Sequence, residues 1–334
     1  LTALDEATVA TNNLKGDCPQ LAAALPRLLR HQPETLDAYF QPVCVSSQID
    51  HTKARLCCHY LVRDGNGNVR VKDLAERLQH EVINYAIPRS RVQEAYDDYT
   101  QTQSTAKLVK LEREATKLFT DLKNTGEGGE LLLYALTETV LGLPQLLCKM
   151  PLKTSARMHY HGVDGIHGTV DSASGMLALY WGESKLHKTV SSAVADCFKS
   201  IAPFIRADGG SGTPERRDIE LLRDNINLDN PHLEAAFRRY LDPDDPLYLK
   251  LQYRGVCLVG FDLDDYADPF DPQDQTAVTD AAVNALKSWR DQVEQGIQKE
   301  RLESILIETF CIPFPSVDAF REAFLREMGL LRGA

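Results

Sequence analysis

Six consecutive apolar residues, 176–181 (MLALYW), constrain this chain more than any other feature. The run does not alternate, so a strand built from it has no face that tolerates water and must be covered on both sides. Residues 155–170 read as a partner strand, and Asp171-Ser172-Ala173-Ser174-Gly175 between them is turn chemistry. Together they predict a β-hairpin whose second strand is central. Strand-like runs at 54–62, 253–261 and 304–310 alternate with helical spacing at 71–86, 107–122, 126–141, 189–204, 277–302 and 317–328. That alternation predicts an α/β fold, a mixed central sheet flanked by helices. Residues 1–50 are poorly patterned, with Pro19, Pro26, Pro33 and Pro42 interrupting short helical stretches such as 21–29. The expected organisation is a core over 120–334, with an N-terminal α/β region over 1–119 packed on it.

Composition excludes several classes. No run approaches the eighteen or so apolar residues that a membrane helix needs. No basic-then-apolar leader is visible, so the expected location is the cytoplasm. The cysteines (Cys18, Cys44, Cys57, Cys58, Cys148, Cys197, Cys257 and Cys311) are scattered without a Cys-x-x-Cys pair, which argues for reduced, buried thiols rather than a zinc ribbon or disulfide framework. A formal net charge of −11 argues against nucleic-acid binding by bulk attraction, though not against a local basic groove. Tight binding would then be supplied by a partner. The glycines of 209–214 (GGSGTP) lack a following Gly-Lys-Ser/Thr, so this segment reads as a linker rather than a phosphate loop.

Three acidic signals occur in order: Glu127 and Glu130 at the start of an apolar helix, Asp164 in HGVDG, and Glu183-Ser184-Lys185 after the central run. A bare Glu-x-Lys is expected about once by chance in a chain of this kind, so location carries the weight. Glu183 and Lys185 are two apart on a strand and share a face. Unpartnered charges at the end of a buried strand cost several kcal/mol. A turn centred near residue 173 places Asp164 opposite about residue 182, and so within a residue of Glu183. Two carboxylates and a lysine meeting there suit phosphodiester hydrolysis with Mg²⁺, or Mn²⁺ in its place. The carboxylates are hard oxygen ligands, the cation acidifies water, and the lysine orients that water or offsets charge on the phosphate. Glu127 and Glu130 share a helix face, and either completes such a site; Glu130 is the favoured one. From 139 to 163 the chain has no Asp or Glu but holds Lys149, Lys153, Arg157, His159 and His161. With Lys188, this stretch is expected to contact DNA phosphates.

The strings GEGGELLLYALTE, LPQLLCKMPLKTS, HYHGVDGIH and LALYWGESK resemble the HamA family, the nuclease subunit of the Hachiman bacterial anti-phage system. The resemblance runs from INYAIPRSRV (83–92) through GFD (260–262) to IETFCIPFPSVDAFREAF (307–324) and covers most of the chain. It implies a PD-(D/E)XK restriction-endonuclease-like core, in which a helix Glu precedes an Asp and then a Glu-x-Lys. Carried over, that pattern falls on Glu127 or Glu130, Asp164, Glu183 and Lys185, with Val163 where the proline usually stands. It also implies a HamB-like helicase partner.

Plainer readings stand beside these. Asp164, Glu183 and Lys185 could form a structural ion-pair cluster, and Glu127 could simply favour a helix N-terminus. His159 and His161 share a strand face without a third ligand for zinc. His167 and Asp171 read as loop residues near the hairpin tip. Residues 262–274 hold six aspartates but lack the glycine and final glutamate of a calcium loop, with Ala267 and Gln273 in those places. Alternative functions are a DNA-binding adaptor that loads a helicase, and a repair nuclease or junction resolvase acting alone.

Overall fold

The computed structural model describes residues 19–30, 36–120, 125–152, 162–206, 214–228, 230–263, 266 and 274–331. Seven strands form one mixed sheet: β1 (Phe40–Gln48), β2 (Arg55–Leu61), β3 (Gln145–Leu147), β4 (Gly165–Val170), β5 (Leu177–His187), β6 (Leu251–Asp262) and β7 (Ile307–Phe314). Their order is β1-β2-β7-β6-β5-β4-β3. The four inner strands β2, β7, β6 and β5 run parallel, while β1, β4 and β3 pair antiparallel at the two edges. The expected mixed sheet flanked by helices is therefore present, and strands from both sides of residue 120 share it.

The helices are α1 (Val71–Gln79), α2 (Val82–Ala86), α3 (Arg89–Thr102), α4 (Ala106–Lys117), α5 (Glu127–Thr139), α6 (Val190–Ile205), α7 (Pro214–Asn225), α8 (Pro231–Tyr240), α9 (Asp274–Lys299) and α10 (Val317–Glu327). They divide between the two faces according to the pleat of the sheet. On β5, Leu177, Leu179 and Trp181 enter one core with Val194, Phe198 and Ile201 of α6. Ala178, Tyr180 and Leu186 enter the other, with Leu131–Leu136 of α5 and Phe320 and Phe324 of α10. The absence of alternation in MLALYW thus reflects a strand buried on both faces, as its sequence required. Trp181 is fully buried, so truncating it to alanine would cost ~3–5 kcal/mol.

Several expectations shift. The helix expected over 71–86 breaks into α1 and α2, and Glu81 at the break pairs with Arg77 (2.5 Å) and accepts from Asn84 Nδ2 (2.8 Å). The last strand begins at Ile307, three residues later than expected. β1 falls inside the stretch read as unpatterned: it carries Pro42 and two register shifts, which an edge strand tolerates. Among the described residues all seven cysteines are free thiols, and no helix is long and apolar enough to cross a membrane.

Candidate active site

β4 and β5 pair with Gly165 opposite Gly182 and Val170 opposite Leu177, one residue from the register expected of the hairpin. The paired ladder ends at Gly165 and Gly182, and Asp164 N donates to the same Gly182 O at 2.8 Å, one residue out of that register. Val163 packs in the α6-side core with Trp181, and Glu183 turns to that same side, whereas Asp164 bonds the Ser184 hydroxyl that abuts α5. Strand pairing alone therefore does not put the two carboxylates on one face, and they meet only around the strand end, where each feels the other's charge. Asp164 Oδ2 accepts from both Ser184 N and Ser184 Oγ, each at 2.7 Å. Lys185 Nζ is ion-paired with Glu183 Oε1. Glu183 is buried against α6, where Cys197 Sγ donates to its carbonyl and Ser200 bonds its side chain. The Lys185 side chain keeps about 30% of its exposure, so the group opens to solvent on the lysine side.

The electrostatics follow from crowding two carboxylates into a poorly solvated corner. Burial, and then the Asp164 charge, push Glu183 up to about 8 despite the attraction of Lys185. Burial also raises Asp164, opposed by Lys185, the Ser184 hydrogen bonds and Lys149. For Lys185, burial acts against the charged form but is outweighed by Glu183 and Asp164, so its ammonium is held more firmly than usual. Among the described residues no three His, Cys, Asp or Glu side chains converge at ligand spacing. A cation here would rest on two carboxylates and fill its shell with water or substrate oxygens, as Mg²⁺ commonly does.

The start of α5 is brought close by its glycines. A Cβ on Gly129 would sit 3.2 Å from Leu186 and 3.3 Å from Ser184 Oγ, and one on Gly128 would sit 3.1 Å from Phe324. The GEGGE sequence therefore lets the helix lie against the end of β5. The two glutamates there differ. Glu127 is buried and its Oε2 accepts from Thr120 N at 2.7 Å, tying the helix start to the preceding segment. Glu130 is half-buried and accepts from the Tyr85 hydroxyl at 3.2 Å. Burial, followed by the charges of Glu130, Asp164 and Glu127, drives the Tyr85 phenol well above its usual range. Tyr85 thus lies among all three carboxylates, a position no periodicity in INYAIPRSRV announces. Ser184 was visible only as the middle of the Glu-x-Lys triplet.

The expected phosphate contacts need correction at one position. Lys149 is buried, with Nζ donating to Val163 O at 2.9 Å and to Asp218 Oδ2 at 2.6 Å, so it braces the residue before Asp164 instead of facing DNA. Lys188 is exposed, 3.7 Å from Asp318. Lys153, Arg157, His159 and His161 lie outside the described residues. His167 is no loop residue either: it is buried in β4 with Nδ1 2.9 Å from Leu143 O. Asp171 does lie in the turn, accepting from Ala173 N and Ser174 Oγ. The segment 264–273 is outside the described residues apart from Tyr266, whose hydroxyl donates to Pro313 O.

A sequence profile described as HamA matches residues 37–328, nearly the whole chain. No curated protein matches it.

Proposed function

This chain belongs to the HamA family, a component of the Hachiman antiviral defence system, and from that premise we propose that it is a metal-dependent DNA nuclease working with a partner helicase. The observation that carries the reading is the meeting of Asp164, Glu183 and Lys185 at the open end of β4 and β5.

The donor set suits Mg²⁺ or Mn²⁺. Two hard carboxylates lie near enough at the strand end to feel each other's charge, and burial with that repulsion penalises ionising both unless a cation joins them. Bound there, the cation would make water a stronger acid and offset charge building on the phosphate. Asp164 and Glu183 would hold it, with Asp164 fixed in orientation by the Ser184 amide and hydroxyl. Lys185 stays protonated between the carboxylates, so its part is that of a cationic donor to the scissile phosphate or the attacking water, not of a base. Hydrolysis joins the water oxygen to phosphorus and breaks one P–O ester bond; the water loses a proton and the departing oxygen gains one. Glu130 is the better helix carboxylate, since Glu127 serves the Thr120 amide. Lys188 and the basic residues of 153–161 would contact the strand, and the net charge of −11 leaves most of the DNA affinity to the helicase.

Incubating the chain and its partner helicase with linear and supercoiled DNA in Mg²⁺ tests this. Glu183→Gln and Lys185→Met should each lower cleavage by at least ~10²-fold, the usual scale for a group stabilising a transition state. Chelation should stop it. Equal cleavage by wild type and Glu183→Gln would remove this site from the mechanism.

A further inference from the structure

A cavity of about 220 Å³ opens between Arg30, the start of α3, β3 and the end of α7, and none of Glu130, Asp164, Glu183 and Lys185 lines it. Arg30 and Arg89 line it together with Gln145, Cys148, Asn225 and Asn227. Its two guanidiniums are unusual in what they bond. Arg30 Nη1 donates to the Asn84 and Ile87 carbonyls, and Arg89 donates to the Leu28 and Gln145 carbonyls. Neither has a carboxylate at ion-pair distance among the described residues. The acid that balances them, Glu138, has both oxygens on main-chain amides, Arg30 N at 2.8 Å and Gln145 N at 3.0 Å. Two cations and one anion leave a net positive charge beside a half-buried cavity. The strain shows in Arg89, which burial and then Arg30 bring down to about 10. Asn227 Oδ1 is buried in the same region without a hydrogen-bond partner among the described residues. Its amide, turned either way, can offer a donor or an acceptor.

We propose that this cavity binds a terminal phosphate, with Arg30 and Arg89 meeting its oxygens and Asn227 bonding a phosphate oxygen or a neighbouring hydroxyl. Paired guanidiniums that keep unused N–H groups match the geometry of a phosphate dianion. The volume falls below the roughly 300–1,000 Å³ of sites for drug-sized ligands, leaving room for a phosphate and part of its sugar. The same chemistry is found on a mononucleotide and on the 5′ end of a DNA strand. Cys148, in the cavity wall, precedes Lys149, which holds the carbonyl of Val163 next to Asp164.

The test uses the full chain in EDTA, which keeps cleavage out of the readout. Melting is followed against inorganic phosphate and 2′-deoxyadenosine 5′-monophosphate, with chloride at matched ionic strength as the control. Binding of one oligonucleotide is compared with and without its 5′ phosphate. Phosphate and the mononucleotide should stabilise the chain saturably where chloride does not. Asn227→Asp, which supplies the missing counter-charge, should weaken binding at least ~10-fold, or ~1.4 kcal/mol. Arg30→Gln should do the same, with its main-chain amide still serving Glu138. Preference for the 5′-phosphorylated strand assigns a DNA end, and equal binding of the two strands assigns a free nucleotide. Glu183→Gln should bind phosphate like wild type, so this site and the nuclease reading fail separately. Matching responses to phosphate and chloride, or wild-type affinity in Asn227→Asp, would overturn the proposal.

Discussion

Replacing Glu183 with glutamine should stabilise the metal-free protein while removing its activity, and the gain should depend on pH. In the folded chain burial and Asp164 lift the Glu183 carboxyl from an ordinary 4.5 to about 8. The folded state therefore holds a proton that the unfolded chain releases, and stability falls as pH rises from about 4.5 to about 8, then levels. At ~1.4 kcal/mol per pH unit the full loss is ~5 kcal/mol, shared in practice with Asp164 because the two titrate as a pair. With an unfolding entropy of ~2.1 cal/mol/K per residue, that corresponds to ~7 °C in Tm for a chain of 334 residues. Glutamine mimics the protonated carboxyl, so the variant should melt near the wild type at pH 5 and several degrees above it at pH 8.5. Calorimetry in EDTA across that range reads the difference directly. Parallel curves for the two proteins would refute the reasoning, because they would mean that the carboxyl ionises without penalty. Mg²⁺ should raise the wild-type Tm more at pH 8.5 than at pH 6, since cation and proton compete for the same oxygens.

Lys149→Met should cost ~2–4 kcal/mol in urea unfolding by leaving the fully buried Asp218 with only the half-exposed Arg217 at 3.4 Å, and Lys149→Met/Asp218→Leu should recover most of it. Because Lys149 faces inward, the salt dependence of DNA binding should keep its slope in that double variant. Glu127→Gln should lower Tm with cleavage less affected, and Glu130→Gln the reverse, when melting and DNA cleavage are measured side by side. Gly260→Ala should destabilise by ~1–3 kcal/mol, since a Cβ there collides with the Leu186 side chain beside the start of α5.

The parts of the molecule that were legible in the sequence are those dictated by short-range chemistry. The apolar run at 176–181 required cover on both faces, and the turn at 171–175 fixed the hairpin to within one residue. The helices expected over 126–141 and 189–204 form within about two residues of those bounds, and the Thr125 and Thr189 hydroxyls at their starts accept from Glu127 N and Ser192 N. What was not legible depends on partners distant in the chain. Lys149 reads as a surface cation until Asp218, 69 residues later, is folded onto it. α3 buries only Ala95, so it carries almost no apolar period to detect. β1 loses its alternation to two register shifts. What distinguishes Glu127 from Glu130 is the Thr120 amide on one and the Tyr85 hydroxyl on the other, neither of which spacing reveals.

The most direct measurement is an anomalous diffraction map of the protein soaked in Mn²⁺ at pH 8, compared with the same soak of Asp164→Asn. A cation shared by the hairpin aspartate and the strand-end glutamate should appear as a peak within ~2.0–2.2 Å of both carboxylates in the wild type and vanish in the variant. A peak held by other residues, or none at all in crystals of a protein that still cuts DNA, would contradict the account.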